Sequence, residues 1–286
     1  MSSHRFTHRK LTIPAAATAI AAAAGLAAVA LLGPTAQAAP ALTHPGGKAK
    51  PTIVLVHGAW GDASGWSKVT ERLQHDGYTV IAPADPLRGL AQESTYLHSL
   101  LKTIEGPVVL VGHSYGGAVI SQAAVGDPQV KALVYISAFV PDQGETLGAL
   151  AGEFPGSQLQ PALRPVPFAN ADGTGGADLY VNPADFRAVL AADVPAEQTV
   201  VMATGQRPID AAVFGQAPTA VAWHTVPSWA LVATEDKALP PALERFEARR
   251  AHSHTVEVDS SHFAMVSHPE QVTDLIEDAA HATAGR

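Results

Sequence analysis

Residues 108–117 read VVLVGHSYGG, from Val108 to Gly117. Val108–Val111 is a short, β-branched apolar run of the kind that forms a strand buried on both faces. Gly112-His113-Ser114-Tyr115-Gly116 follows, then Gly117, and Ala118–Ala124 continues as an alanine-rich helix. A serine bracketed by glycines between a strand and a helix fits a nucleophile elbow, G-x-S-x-G. The requirement is steric. The serine sits on a very sharp turn in a strained backbone conformation, so residues two places away must lack side chains.

The same alternation extends both ways. Thr52–Val56 (TIVLV) predicts a strand ending at His57-Gly58. Ser64–Asp76 carries Trp66, Val69 and Leu73 at helical spacing, with Gly77 as a C-cap. Tyr78–Ala82 predicts a strand and Gln92–Ile104 a helix. Ala132–Val140, Trp229–Thr234 and Thr255–Val258 predict further strands, and Pro241–Arg250 and Gln271–Ala280 helices. Strands alternating with helices imply a mostly parallel sheet with helices on both faces, an α/β class. The alternation breaks between Pro141 and Pro227, a stretch rich in Pro, Gly and Ala. It reads as a cap insertion at about residues 141–227, with short helices around Thr146–Ala151, Pro183–Ala192 and Ile209–Gly215 and few clear strands. Asn170–Gly176 reads as a flexible loop.

The chain has 286 residues and a formal charge of −8. Its start carries Arg5, Arg9 and Lys10, then an apolar stretch to Gly33, then Ala36-Gln37-Ala38. Those are the parts of a secretory signal peptide, residues 1–38, cleaved after Ala38. A retained anchor is the alternative. Residues 39–51 read as a short linker and 52–286 as the folded domain. Removing the three leader cations takes the charge from −8 to −11. An acidic body argues against nucleic acid and against anionic membranes, so the expectation is a secreted protein that binds neither. With 47% hydrophobic and 15% charged residues the chain is globular. No cysteine occurs, which excludes a disulfide scaffold, a thiol nucleophile and cysteine-ligated metal. No metal or nucleotide fingerprint is present, so no cofactor is expected.

Ser114 needs a base and the base needs an acid. Of thirteen histidines, His262 follows the last predicted strand, in Asp259-Ser260-Ser261-His262-Phe263. Loops at the carboxyl ends of parallel strands converge above the sheet, which brings His262 to Ser114. His252, His254, His268 and His281 read as surface residues. Asp236 follows the strand Trp229–Thr234 and completes the chain order Ser, Asp, His. Asp142 is the runner-up acid; Glu235 is expected to face solvent, and Asp259 is too close to His262 along the chain. Oxyanion donors are expected from the backbone N–H of Tyr115 and, after the first strand, of Ala59, with His57 bracing that loop. Trp60, Phe154, Phe168, Phe186, Phe214 and Trp223 are candidate walls of a substrate pocket.

Together these residues resemble the α/β-hydrolase superfamily, and within it the small branch of plant methylesterases, hydroxynitrile lyases and EstC-like esterases. The likeness rests on VHGAW (Val56–Trp60), GHSYGG (Gly112–Gly117), ATEDKALP (Ala233–Pro240) and SSHFAM (Ser260–Met265). It covers most of residues 52–282, with the cap matching only loosely. It implies the α/β-hydrolase fold, a triad on Ser114, Asp236 and His262, and oxyanion donors at Ala59 and Tyr115. In the lyase members a lysine follows the catalytic histidine; here that position is Phe263, which counts against cyanohydrin chemistry. The expected activity is hydrolysis of a small-molecule carboxylic ester through an acyl-enzyme, losing rate as the solution turns acid. A lyase, perhydrolase or cofactor-free oxygenase on the same fold is one alternative, and a ligand-binding homologue without turnover is the other. Substrate identity and oligomeric state do not follow from the sequence.

Overall fold

The computed structural model describes residues 50–284. The expected signal peptide and nearly all of the linker lie outside them. The central sheet is built from β1 (Thr52–Val56), β2 (Val80–Ile81), β3 (Val108–His113), β4 (Val130–Ile136), β8 (Ser228–Ala233) and β9 (His254–Val258). Its order is β2-β1-β3-β4-β8-β9, and every pairing is parallel. Every residue of β1, β3 and β8 is buried, so helices cover both faces, as a parallel sheet demands. α3 (Tyr115–Ala123) and α10 (Pro269–Thr283) both pack on β3 and β4; α2 (Leu90–Leu101) lies on α3, and α1 (Ser67–His75) on α10.

Two strands are shorter than the sequence predicts. β2 pairs with β1 only through Val80 and Ile81, at the sheet edge. β4 stops at Ile136 because Ser137 takes φ of 45°, outside the strand region. The turn has a use: Phe139 N–H then donates to the Ser114 carbonyl at 3.1 Å, clasping the elbow.

Between β4 and β8 the chain forms α4 (Leu147–Glu153), α5 (Leu159–Ala162), β5 (Leu163–Ala169), β6 (Gly175–Val181), α6 (Pro183–Leu190), α7 (Ala196–Thr204) and β7 (Ile209–Asp210). Here the structure corrects the reading of a largely strandless insertion, because β5-β6-β7 is an antiparallel sheet. Pro165 and Pro167 argue against a strand, yet β5 is an edge strand, where a missing N–H costs no ladder bond. Asn170–Thr174 is the hairpin turn joining β5 to β6, and its ends are tied by a 2.7 Å bond from Asn170 N–H to the Thr174 carbonyl. The segment read as a loop is thus turn over Asn170–Thr174, and only its last two residues, Gly175 and Gly176, are strand, paired with Ala169 and Phe168. After β8 come α8 (Pro241–Arg250), β9, α9 (Ala264–Ser267) and α10.

Candidate active site

Ser114 occupies the step between β3 and α3 with φ 53° and ψ −123°. A side chain there favours no such conformation, so its neighbours make room. A Cβ at Gly112 would stand 2.6 Å from the Gly116 carbonyl oxygen, and one at Gly116 2.8 Å from that of Val56. The elbow closes only with glycine at both positions.

Ser114, His262 and Asp236 meet although 148 residues separate the first two. The Ser114 Oγ lies 2.9 Å from His262 Nε2, and His262 Nδ1 lies 2.5 Å from Asp236 Oδ2. The other Asp236 oxygen accepts the N–H groups of Ala238 at 2.7 Å and Leu239 at 2.9 Å. All three side chains are buried. With Oδ1 held by two donors, Oδ2 is left to receive the imidazole N–H, which fixes the tautomer that leaves Nε2 open to the serine proton.

Two further groups brace this arrangement. His113 Nε2–H donates to the His262 carbonyl at 2.9 Å, and its ring stacks on Phe263. Burial, then His262, holds its pKa well below the ordinary histidine value, so it stands as a neutral ring. Glu244 of α8 is fully buried beside Asp236 and accepts Ala233 N–H at 3.1 Å. Burial, then the Asp236 charge, pushes its carboxyl well above the usual range, so it sits as a neutral acid next to Asp236. On the cap side, the loop carrying His262 is pinned by Phe263 N–H to Leu190 O at 3.1 Å and Ser261 N–H to Asp193 at 3.1 Å.

Ala59 and Tyr115 both border the space above Ser114, and among the described residues neither N–H is engaged. Tyr115 N–H is the first of its helix, where no intrahelical acceptor exists. His57 braces the other arm: its Nδ1–H donates to Gly58 O at 2.9 Å and its Nε2 accepts Asp85 N–H at 3.0 Å. Trp60, at φ 60°, anchors that arm to the cap through its backbone N–H to Arg207 O and its indole N–H to Leu179 O, both 2.8 Å.

The cavity measures about 270 Å³ and reaches Ser114 and His262. Of the six candidate wall residues, Trp60 and Phe214 border it. Four aromatics do not. Phe186 is wholly buried and stacks on Phe263, supporting the histidine loop from behind. Phe154 packs against Phe246 at 5.4 Å. Phe168 lies under the Arg88 guanidinium at 5.2 Å. Trp223 stacks on His224 and donates its indole N–H to Pro141 O. The walls are instead mostly aliphatic or small: Leu147, Gly148, Ala151 and Gly152 on one face of α4, with Leu159, Leu239 and Ile209. Leu at helical spacing signals burial, but nothing in it says that the buried face meets a cavity. Among the other acids weighed, Asp142 pairs with His224 at 2.8 Å on the surface, and Asp259 accepts from Thr234 Oγ.

Among the described residues no group of three His, Asp or Glu could hold a metal, and no helix is long and apolar enough to cross a membrane.

Residues 53–275 match the model of the alpha/beta hydrolase family. A carbendazim hydrolyzing esterase of Nocardioides sp. (strain SG-4G) is 36% identical over 115 residues, 34% of this chain and 46% of that relative, less than half its length. Methylesterase 1 of Arabidopsis thaliana is 26% identical over 249 residues, 79% of this chain and 95% of that protein. In fold, polyneuridine aldehyde esterase superposes with a TM-score of 0.70 at 21% identity, over 80% of this chain and 99% of that one.

Proposed function

The chain belongs to the alpha/beta hydrolase family, and from that premise we propose that it hydrolyses small-molecule carboxylic esters through an acyl-enzyme on Ser114. One observation carries the reading: the unbroken run from Ser114 Oγ through His262 to Asp236, opening into a cavity. Ester hydrolysis is also what the names of the esterase and methylesterase relatives describe.

In this reading Ser114 Oγ attacks the ester carbonyl carbon while His262 Nε2 takes its proton. The carbonyl oxygen becomes an oxyanion facing the Ala59 and Tyr115 N–H groups, each worth roughly 3 kcal/mol in the transition state. His262 then gives the proton to the departing alkoxide, and the alcohol leaves. Water attacks the acyl-enzyme, losing its proton to the same nitrogen. The second tetrahedral adduct collapses to the acid product, and Ser114 regains its proton. Asp236 stabilises each imidazolium that forms. The aliphatic wall from α4 suits an uncharged group on one side of the ester. The Arg5–Lys10 cations, the apolar stretch and Ala36-Gln37-Ala38 support export with removal of the leader; N-terminal sequencing of protein recovered from culture medium tests this.

The activity is tested with a fluorophosphonate probe and short p-nitrophenyl esters on wild type and Ser114→Ala. Labelling and turnover should both vanish in the variant. Labelling of wild type without ester turnover would sink hydrolysis and favour another reaction at the same serine. No labelling and no turnover would favour ligand binding alone.

A further inference from the structure

Beneath the elbow lies a pair of buried carboxyls that the reaction above does not use. Asp85, after β2, and Glu93, on α2, are 4% and 2% exposed. Glu93 is fully engaged. One oxygen accepts the backbone N–H groups of Arg88 and Gly89, and the other accepts the Tyr115 hydroxyl. Asp85 is not. Its Oδ1 has one long contact, 3.5 Å from Leu87 N–H, and its Oδ2 is buried with no donor. An isolated buried carboxylate oxygen is costly, and the cost disappears when the oxygen carries a proton and donates it. Glu93, which lines the same small pocket, is the carboxylate available to accept it. Burial, then the Glu93 charge, pushes Asp85 up to about 8, in keeping with that state.

What makes the pair informative is where each end leads. Glu93 holds Tyr115 by its hydroxyl, and Tyr115 supplies one oxyanion N–H. The backbone N–H of Asp85 holds His57, and His57 holds Gly58, next to Ala59 with the other oxyanion N–H. Hydrogen bonds thus lead from Tyr115 to Glu93 and from the Ala59 loop to the Asp85 backbone, and a proton shared between the two carboxyls would close the gap.

We propose that Asp85 and Glu93 form an acid–carboxylate pair that joins the two arms of the oxyanion hole, and that both are positioning residues for the Ala59 and Tyr115 N–H groups. This rests on the esterase reading. The pair touches no substrate and donates no proton to it. It sets the separation of two donors whose effect depends on tenths of an ångström.

The test uses Tyr115→Phe, Asp85→Ala and Asp85→Asn in the full chain. Tyr115→Phe keeps the backbone N–H and removes its tether. Asn at position 85 restores a donor toward Glu93 without a titrating proton. Turnover of p-nitrophenyl acetate should fall about tenfold in kcat for Tyr115→Phe and Asp85→Ala, with KM within about twofold, a fraction of the loss expected for deleting a donor outright. Affinity for an alkyl trifluoromethyl ketone, whose adduct with Ser114 carries the oxyanion, should fall by the same factor. Asp85→Asn should recover most of both. A merely structural role would lower the melting temperature without moving the ketone affinity of the folded fraction. Wild-type kcat and ketone affinity in Tyr115→Phe overturn the inference, even if Asp85→Ala fails to fold, and so does an Asp85→Asn variant as impaired as Asp85→Ala. Wild type that turns over ester in a Ser114-dependent way keeps the esterase reading intact in those cases. Wild type without turnover overturns both.

Discussion

Gly58 is the residue through which the loop carrying Ala59 touches Ser114, the proposed nucleophile. A Cβ added there would stand 2.6 Å from Ser114 Cβ, 2.8 Å from the His113 carbonyl oxygen and 3.1 Å from His113 Nδ1. Two of these neighbours are fixed. Ser114 is locked by the elbow and the His113 carbonyl belongs to β3, so neither side can give as a flexible side chain would. Ordinary contact needs about 3.5–4.0 Å, so in Gly58→Ala the loop must back away by about 1 Å. Ala59 is the next residue and moves with it. A displacement of that size in a positioning group costs on the order of 10²-fold in rate, and losing one oxyanion donor 10²–10³-fold. The expected result is kcat on p-nitrophenyl acetate lower by at least about 100-fold. Overpacking should also remove about 1–3 kcal/mol of stability, readable as a lower melting temperature of protein that still folds. Gly65→Ala is the matched control, since its Cβ would meet only Met265 Cε, at 3.5 Å. A Gly58→Ala enzyme with more than half of wild-type kcat would refute both the rigidity of this contact and the role given to Ala59.

Burial pushes Glu247 of α8 up to about 8 from an ordinary 4.5, so the folded protein holds a proton that the unfolded chain releases. Stability from this group is full below pH 4.5 and is lost as pH rises through about 8. Thermal melts of Glu247→Gln should therefore fall less between pH 5 and pH 8 than those of wild type; equal slopes would count against it, and the raised carboxyls of Asp85 and Glu244 add slope of the same sign in both proteins. Phe186→Ala removes a wholly buried ring behind Phe263 and should cost about 3–5 kcal/mol in chemical denaturation; a change under 1 kcal/mol would mean the ring is not core. Gly152→Leu projects into open space beside the cavity. It should lower the ratio of kcat/KM on p-nitrophenyl octanoate to that on acetate by about tenfold, and an unchanged ratio would show that the α4 face does not receive the substrate.

The parts of this structure that could be read beforehand are those where local sterics leave few choices. Gly112 and Gly116 face carbonyl oxygens at 2.6 and 2.8 Å, so the glycine pattern around Ser114 is a direct print of the backbone. Asp236 and His262 were placeable because each follows a strand of a parallel sheet, and such strands end at the same edge. The cap obeys no such rule. Pro165 and Pro167 hid β5 because a proline carries no information on whether its strand is central or at an edge. Trp60 and Phe214 reach the cavity while Phe168 and Trp223 cover arginine or histidine side chains outside it, and composition is the same for all four. Their direction is set by how the cap folds back, through contacts such as Trp60 to Leu179, 119 residues apart.

The buried acids show the deeper limit of sequence reading. Asp85, Glu93, Glu244 and Glu247 sit in segments where a carboxylate normally faces water. Position alone gave no reason to single them out. Three of them become exceptional only through a partner on another element: Tyr115 for Glu93, Asp236 for Glu244, the Val140 N–H for Glu247. Glu93 and Glu244 flank the proposed reacting groups, one under the oxyanion donors and one behind the acid that orients His262. Burying Glu244 beside Asp236 lowers stability as pH rises, yet it fixes that group from below, where no substrate or solvent can take its place. A scaffold that accepts that cost beside the proposed triad trades stability for geometry, which is what a catalytic reading of Ser114 requires and a glycine-rich turn with an idle serine does not.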